Sequence, residues 1–254
     1  MTGPVTRSPE PPARDPWPVV ELRQYTLHPG GRDVLIELFD REFVETQEAA
    51  GMRVIGQYRD EDDPDRFVWM RGFRDMAARR RALTAFYVEG SAWKAHGRAA
   101  GATMADSKNA LLLRPATTGS GFSLPVGRPG AGATALPPSR LLATICTLDA
   151  PVDEGFLRFF DRRIAPVMAD TGAPPIACYE TEPGENTFPR LPVREGENVF
   201  VWFAVFGDGD RLRAHLDRLE RSSAWSRVLP ELSARLASPL TRLRLAPTAR
   251  SLLR

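Results

Sequence analysis

The sequence predicts an α+β fold in which two copies of a β-α-β-β-α-β unit pack their sheets against each other. Two observations predict it. The same order of strands and helices is expected over residues 19–116 and again over 140–254, and residues of the same type recur at matching places. Between them, residues 117–139 are rich in Gly, Pro, Ala, Ser and Thr, which is typical of an interdomain linker. Residues 1–18 are polar and rich in proline, which predicts a disordered tail.

The two copies stay in register over most of their length. Seven positions match at an offset of 121: Leu27, Phe39, Asp40, Arg41, Gly51, Ile55 and Tyr58 match Leu148, Phe160, Asp161, Arg162, Gly172, Ile176 and Tyr179. Phe67–Trp69 recurs as Phe200–Trp202 at an offset of 133, so the hairpin before it, about residues 182–198, is longer in the second copy. Ser91–Trp93 then matches Ser223–Trp225 at an offset of 132.

Each element of the first copy follows from hydrophobic periodicity and from residues that start or stop a helix or strand. Strands are predicted at 19–27, 54–58, 67–73 and 110–114, and helices at 31–50, from Asp75 through 83–86, and from the cap Ser91 to 104. In the second copy, strands are predicted at 141–148, 176–179, 199–206 and 240–245, and helices at 153–170, 211–219 and 224–236. His28-Pro-Gly-Gly ends the first strand, because proline cannot donate to the ladder.

Such a unit forms one antiparallel sheet in the strand order 4-1-3-2, with its helices on a single face. The other face is apolar and needs a cover. Two copies on one chain can cover each other, which predicts a two-sheet core with helices outside. The outer strands then remain edges, so a homodimer is expected as an alternative to a monomer with pseudo-twofold symmetry.

Composition excludes several classes of function. Of the 254 residues, 43% are hydrophobic and 26% charged, as in soluble globular proteins. The net charge is +2 with scattered arginines, and the single triple, Arg79–Arg81, is interpreted as a solvated helix face, so no nucleic-acid partner is expected. The sequence has no apolar run long enough for a membrane helix and no apolar signal core at its start, so no membrane partner and no export are expected. This favours a cytoplasmic protein. Cys146 and Cys178 predict neither a disulfide nor a zinc site.

The first strand carries unusual polar residues. Glu21, Arg23 and Tyr25 share one face of it, where a half-buried strand would be apolar. Arg71 lies on the third strand, which the order 4-1-3-2 places beside the first. Two arginines could bind a carboxylate or enolate, and Glu21 or Tyr25 could transfer a proton. The alternative is a buried ion-pair network that only fixes the structure.

A pocket is predicted between the helices and the sheet. Its candidate lining is aromatic: Trp69, Phe86, Tyr87 and Trp93. His96 is an alternative acid or base from the helix side, and His215 is interpreted as part of a solvated helix face. The histidine spacing predicts no metal site and no cofactor. Haem, with His96 or His215 as its ligand, is kept as a minority alternative.

The opening Glu21-Leu-Arg-Gln-Tyr-Thr-Leu-His-Pro-Gly30, followed at once by an amphipathic helix, resembles the start of a NIPSNAP domain. Trp69 and Trp93 also fit, whereas the second copy lacks the charges, the tyrosine and the Pro-Gly. The resemblance implies the dimeric α+β barrel superfamily, whose unit is ferredoxin-like. Two such halves predict an intrachain pseudo-dimeric barrel.

The resemblance leaves three functions open. The first is a cofactor-independent enzyme of natural-product biosynthesis that acts on an apolar oxygenated or aromatic metabolite, as a monooxygenase, cyclase or isomerase. The second is a non-catalytic ligand-binding or assembly protein of NIPSNAP type. The third is a haem-binding barrel. A small-molecule ligand is the partner expected from the first.

Overall fold

The computed structural model describes residues 16–254, and the predicted tail, residues 1–18, lies outside them except for its last three residues. The strands are β1 (Val19–Leu27), β2 (Arg53–Asp60), β3 (Arg66–Phe73), β4 (Met104–Asp106), β5 (Ala110–Pro115), β6 (Arg140–Leu148), β7 (Ala177–Thr181), β8 (Asn198–Phe206) and β9 (Thr241–Pro247). The α-helical segments are α1 (Gly31–Leu38), α2 (Val44–Ala49), α3 (Met76–Thr84), α4 (Ser91–Ala102), α5 (Glu154–Phe159), α6 (Ala165–Asp170), α7 (Gly209–Arg221) and α8 (Ser223–Ser233).

Eight of these strands close into one antiparallel barrel. The first repeat contributes β5-β1-β3-β2 and the second β9-β6-β8-β7, so both follow the predicted order 4-1-3-2. The prediction of two ferredoxin-like halves in one intrachain α+β barrel is confirmed. The expectation that the outer strands stay free as edges is wrong. Tyr58 of β2 pairs with Pro247 of β9, and Leu113 of β5 pairs with Thr181 of β7, so each outer strand meets one of the other repeat.

The barrel interior is filled by side chains from both repeats. Alternate residues of a strand point to opposite faces, so Val20 and Leu22 of β1 point inwards and pack with residues such as Met70 and Leu243. The intervening residues of β1 point outwards, towards the helices of the first repeat. Any site built on Glu21, Arg23 and Tyr25 therefore lies on the helix side of the sheet and not inside the barrel.

Three π-helical turns interrupt the helices. Phe39–Phe43 lies between α1 and α2, and Phe160–Ile164 lies between α5 and α6, at the Phe-Asp-Arg triplet that both repeats share. The third, Ala85–Glu89, lies between α3 and α4 and has no counterpart in the described second repeat. Asp75 and Ser91 are sixteen positions apart, whereas Asp208 and Ser223 are fifteen apart, so the wider turn absorbs one extra residue.

The helix caps follow the sequence in part. Asp75 accepts a hydrogen bond from the Ala78 amide at 2.5 Å and caps α3, as predicted. Ser91 does not cap α4: it is already inside the helix, whose cap position is Gly90, and no side chain caps it there. Cap assignment from sequence shifts easily by one residue, because helix ends are set by local geometry.

The segment 117–139 contains neither helix nor strand, yet it packs against the barrel. Phe122 is buried against Tyr179 and Phe203 inside the barrel. Arg128 donates to the carbonyl of Arg250 at 2.7 Å. The segment therefore takes part in the tertiary structure besides joining the two repeats.

Candidate functional site

Glu21 lies in the middle of β1, on the face covered by the helices of the first repeat. Arg71 is its direct partner across β3, and its Nε donates to Glu21 Oε2 at 2.8 Å. Arg79 lies on α3, and its Nε donates to Glu21 Oε1 at 2.7 Å. Arg23 Nη1 donates to Oε2 at 3.2 Å. We call these four residues the arginine cluster. All four are fully buried, so the cluster holds a net charge of +2 in a dry site.

Electrostatics fixes the ionisation of the cluster. Burial alone would raise the pKa of Glu21, but Arg71, Arg23 and Arg79 together hold it far below its ordinary value of 4.5. Glu21 is therefore ionised throughout the physiological range and serves three cations at once. One carboxylate cannot neutralise three guanidiniums, so the site retains positive potential for another negative group.

Two tyrosine hydroxyls extend the cluster outwards. Arg23 Nε donates to the Tyr25 hydroxyl at 2.9 Å, and Arg71 Nη1 donates to the Tyr87 hydroxyl at 3.1 Å. Because each oxygen already accepts from a guanidinium, its own proton remains available for donation to a further acceptor. Burial also raises the pKa of Tyr87, which keeps its hydroxyl protonated.

A cavity of about 290 Å³ lies between the sheet and the helices, with both tyrosines in its wall. Its remaining lining is mainly aromatic and apolar: Leu35, Phe39, Phe43, Gln47, Trp69, Phe86, Trp93, Gly101, Met104, Ser107, Phe188, Arg190 and Leu191. Tyr87 and Trp93 meet edge to face with their ring centroids 4.7 Å apart, and Tyr25 meets Trp69 in the same way at 6.0 Å. Such walls suit a planar apolar ligand, and the hydroxyls can orient it.

Part of the cavity wall comes from the second repeat. Its long hairpin between β7 and β8 reaches over the first repeat, where Phe188 and Leu191 pack against the first-repeat core. Arg79 Nη1 donates to Asn186 Oδ1 at 3.0 Å and to Thr187 Oγ1 at 3.2 Å, which ties the hairpin to the arginine cluster. The hairpin is longer in the second repeat, as the offset of 133 indicates, and it covers the cavity of the first repeat.

The second repeat shows what the fold looks like without the cluster. The repeat offsets match Glu21, Arg71 and Arg79 to Leu142, Ala204 and Leu212. These three residues are buried together with Ala173 and Phe206 in a small apolar cluster. The same three places of the fold are thus charged in one repeat and apolar in the other, so the barrel itself does not require the charges.

The structure separates the predicted site residues into two groups. Glu21, Arg23, Tyr25 and Arg71 come together, and Trp69, Phe86, Tyr87 and Trp93 line the adjacent cavity. His96 lies elsewhere: it is 36% exposed, its Nε2 is 3.4 Å from Glu42 Oε2, and it does not line the cavity.

Two sequence interpretations are wrong. His215 is not on a solvated face: it is fully buried beside Phe206, and burial lowers its pKa. The sequence predicts Arg79 on a solvated face with Arg80 and Arg81, yet Arg79 is fully buried against Glu21. A run of charges on a helix spreads around its circumference, and one member of the run can face inwards.

Arg79 and the hairpin residues Phe188 and Arg190 belong to the candidate site, but the sequence analysis does not predict them. For Arg79 a signal existed, because the offset of 133 pairs it with Leu212, an apolar residue four positions after the cap Asp208. For Phe188 and Arg190 no repeat partner exists.

Among residues 16–254, no group of three His, Cys, Asp or Glu side chains is arranged to hold a metal ion. No helix in that range combines the length and apolarity needed to cross a bilayer.

Comparison with known proteins supports the fold. Over 91% of its length the chain is similar to 93% of a provisionally named monooxygenase from Fusobacterium nucleatum subsp. nucleatum, at 10% identity and a TM-score of 0.57. A second similar structure is a provisionally named monooxygenase from Lactobacillus acidophilus: the match covers 92% of this chain and 97% of that one, at 11% identity and a TM-score of 0.52. A third is an anthrone oxidase-like protein: the match covers 92% of each chain, at 12% identity and a TM-score of 0.57. No curated protein sequence matches the chain.

These likenesses define the class as a dimeric α+β barrel, here closed within one chain. The NIPSNAP family model matches residues 20–118, a range that covers nearly all of the first repeat. At such low identities the solved structures establish the fold, and the chemistry has to be argued from the site itself.

Proposed function

We propose that the protein is a cofactor-independent enzyme that binds a planar aromatic or otherwise apolar oxygenated metabolite and acts on its enolate or phenolate form. The observation that carries the proposal is that Tyr25 and Tyr87 line the cavity and that the hydroxyl of each accepts a hydrogen bond from a buried arginine. Their protons can be donated to one substrate oxygen, in the manner of an oxyanion hole.

The net charge of the arginine cluster favours the anionic form of a bound substrate. Cations held close to an ionisable oxygen in a site shielded from water lower its pKa by about 1–3 units. No carboxylate or imidazole lines the cavity in the described range. The site therefore supports a reaction in which the substrate gives up an acidic O–H or C–H proton to solvent, while Tyr25 and Tyr87 stabilise the charge left on its oxygen.

An enolate of this kind is common to the three reaction types considered. Protonation at a different carbon gives an isomer, and attack on an internal carbonyl gives a ring. Transfer of its electrons to O₂ gives a monooxygenation, in which a CH₂ group and O₂ become a C=O group and water. That neighbouring folds carry the names monooxygenase and anthrone oxidase-like favours the third.

Glu21 is better suited to hold the arginines than to transfer protons. Its pKa is held far below neutrality and its oxygens accept hydrogen bonds from three arginines. We therefore assign proton donation to Tyr25 and Tyr87, and a positioning role to Glu21.

The test is aerobic incubation of the purified protein with 1,8-dihydroxyanthrone, followed by oxygen uptake and quinone absorbance. We expect turnover in the wild type and a loss of at least about tenfold in Tyr25→Phe and Tyr87→Phe, since each removes one donor. Tyr179→Phe removes a buried hydroxyl of the second repeat, which accepts from the Phe122 amide, and should leave turnover unchanged.

The outcomes separate the alternatives. Binding of the anthrone without oxygen uptake, cyclisation or isomerisation would favour a non-catalytic binding protein. Failure of the anthrone and of 2-naphthol to bind would overturn the proposal altogether.

A further inference from the structure

Arg190 is the one charged residue in the lining of the cavity, within the described part of the chain. It lies on the hairpin of residues 182–198 and is exposed, whereas Tyr25 in the same lining is buried. Arg190 therefore belongs to the part of the lining that solvent reaches, and Tyr25 to the part that is closed to solvent.

Within residues 16–254, the Arg190 guanidinium has no hydrogen-bond or ion-pair partner. Its neighbours on the hairpin differ. Arg194 donates to Glu197 Oε1 at 2.9 Å, and Asn186 accepts from Arg79. A guanidinium carries five donors in a planar fork that matches a carboxylate. As far as residues 16–254 are concerned, all five guanidinium donors of Arg190 are thus available to a ligand.

The cavity lining consequently combines three kinds of group. Tyr25 and Tyr87 offer hydrogen bonds to an oxygen, Phe43, Trp93 and Phe188 are among its aromatic walls, and Arg190 adds a cation. A ligand complementary to this lining carries a hydroxyl or carbonyl and, apart from it, an acidic group on one flat ring system.

We propose that Arg190 binds a carboxylate of the substrate and so makes the site selective for aromatic hydroxy acids over their neutral counterparts. The inference rests on the function proposed above and specifies its substrate class. Arg190 acts here in selectivity, remote from the reacting oxygen. The second repeat recognises the acid end, and the first repeat recognises the oxygen that reacts.

The test compares 2-naphthol with 6-hydroxy-2-naphthoic acid by isothermal titration calorimetry at low ionic strength. In the wild type we expect the acid to bind about tenfold more tightly, the value of one charge-assisted contact that the ligand partly shields from water. In Arg190→Met the two ligands should bind equally, and in Arg190→Glu the acid should bind more weakly than the naphthol.

Arg194→Met is the matched control. It removes the same charge from the same hairpin but from outside the cavity lining, so the preference for the acid should persist. The preference should also shrink as salt is added, because the contact is exposed. Thermal melts establish that each variant is folded.

The results distinguish the two proposals. Equal affinities in the wild type, or a preference that survives in Arg190→Met, overturn the role of Arg190 while the binding of 2-naphthol still supports the proposed function. Binding of neither ligand overturns both.

Discussion

At the scale of single residues, the site depends on an imbalance of charge. Three buried arginines share Glu21, and burying unpaired charge is among the costliest arrangements in a protein. The second repeat replaces the charged places by Leu142, Ala204 and Leu212 and keeps the same fold. The fold therefore forms without these charges, and a strongly shifted pKa such as that of Glu21 is more frequent at functional sites than elsewhere in proteins.

Glu21→Gln should be strongly destabilising, because it leaves three buried guanidiniums without a counter-charge. We expect the free energy of unfolding to fall by about 3–5 kcal/mol, measured by urea denaturation. The fourfold change Glu21→Leu, Arg23→Thr, Arg71→Ala and Arg79→Leu copies the second repeat, where Thr144 matches Arg23, and should recover most of that loss while ligand binding is abolished. A fourfold variant that still binds 2-naphthol would show that the cluster is structural only.

Acid should destabilise the wild type through the same carboxylate. The folded-state pKa of Glu21 lies below its ordinary value of 4.5, so its contribution to stability is complete above about pH 4.5 and is lost as the pH falls towards the folded-state pKa. Calorimetric melting temperatures between pH 6 and pH 3 should therefore drop more steeply in the wild type than in the fourfold variant. Parallel curves for the two proteins would contradict this assignment.

At the scale of secondary structure, one extra residue shapes the pocket. The π-helical turn Ala85–Glu89 carries Phe86 and Tyr87 into the cavity wall, and the second repeat makes the same connection with one residue fewer. Each residue of a helix turns it by about 100°, so an insertion changes which side chains face the sheet. The turn lets α3 keep Arg79 on Glu21 while α4 keeps Trp93 in the pocket.

Deleting Val88 should convert this turn to the connection found in the second repeat. Val88 is 40% exposed, so little packing is lost and the protein should still fold. Rotation of α4 relative to α3 should prevent Tyr87 and Trp93 from facing the cavity together. We expect the affinity for 2-naphthol to fall at least about tenfold, in line with the loss of an aromatic wall and a donor. Val88→Ala keeps the register and should bind normally; equal binding by the deletion variant would refute the role of the turn.

At the scale of the whole molecule, the two repeats form a single barrel. The seams of β2 with β9 and of β5 with β7 make each sheet complete the other, and the interior core draws on both. Unfolding of one repeat would expose two strand edges and one apolar sheet face of the other. Neither repeat is therefore expected to be stable alone.

The chain should accordingly unfold in one cooperative transition. In a Trp17→Phe background, Trp202→Phe with Trp225→Phe leaves Trp69 and Trp93 to report on the first repeat. In the same background, Trp69→Phe with Trp93→Phe leaves Trp202 and Trp225 to report on the second. We expect coincident urea midpoints from both fluorescence signals and from circular dichroism. Two separated midpoints would mean that the repeats fold as independent domains.

The sequence predicts the barrel well because the information is duplicated: matched residues in both repeats specify the strand order twice. It predicts Glu21, Arg23, Tyr25 and Arg71 as a group because strand alternation and strand order are enough to bring them together. It does not predict the seams, since edge pairing depends on how the two sheets are placed. It also does not predict the cover formed by Phe188 and its neighbours, because an irregular hairpin has no periodicity to read.

In the proposed function, the hairpin of residues 182–198 makes substrate specificity depend on both repeats. The NIPSNAP family model matches only residues 20–118, and the arginine cluster and both tyrosines lie within that range. Yet the side chains that close the cavity belong to the other repeat and to an insertion that the first repeat lacks. A protein with a single repeat can share the whole NIPSNAP motif and still accept different molecules, because it lacks the second repeat whose hairpin covers the cavity of the first.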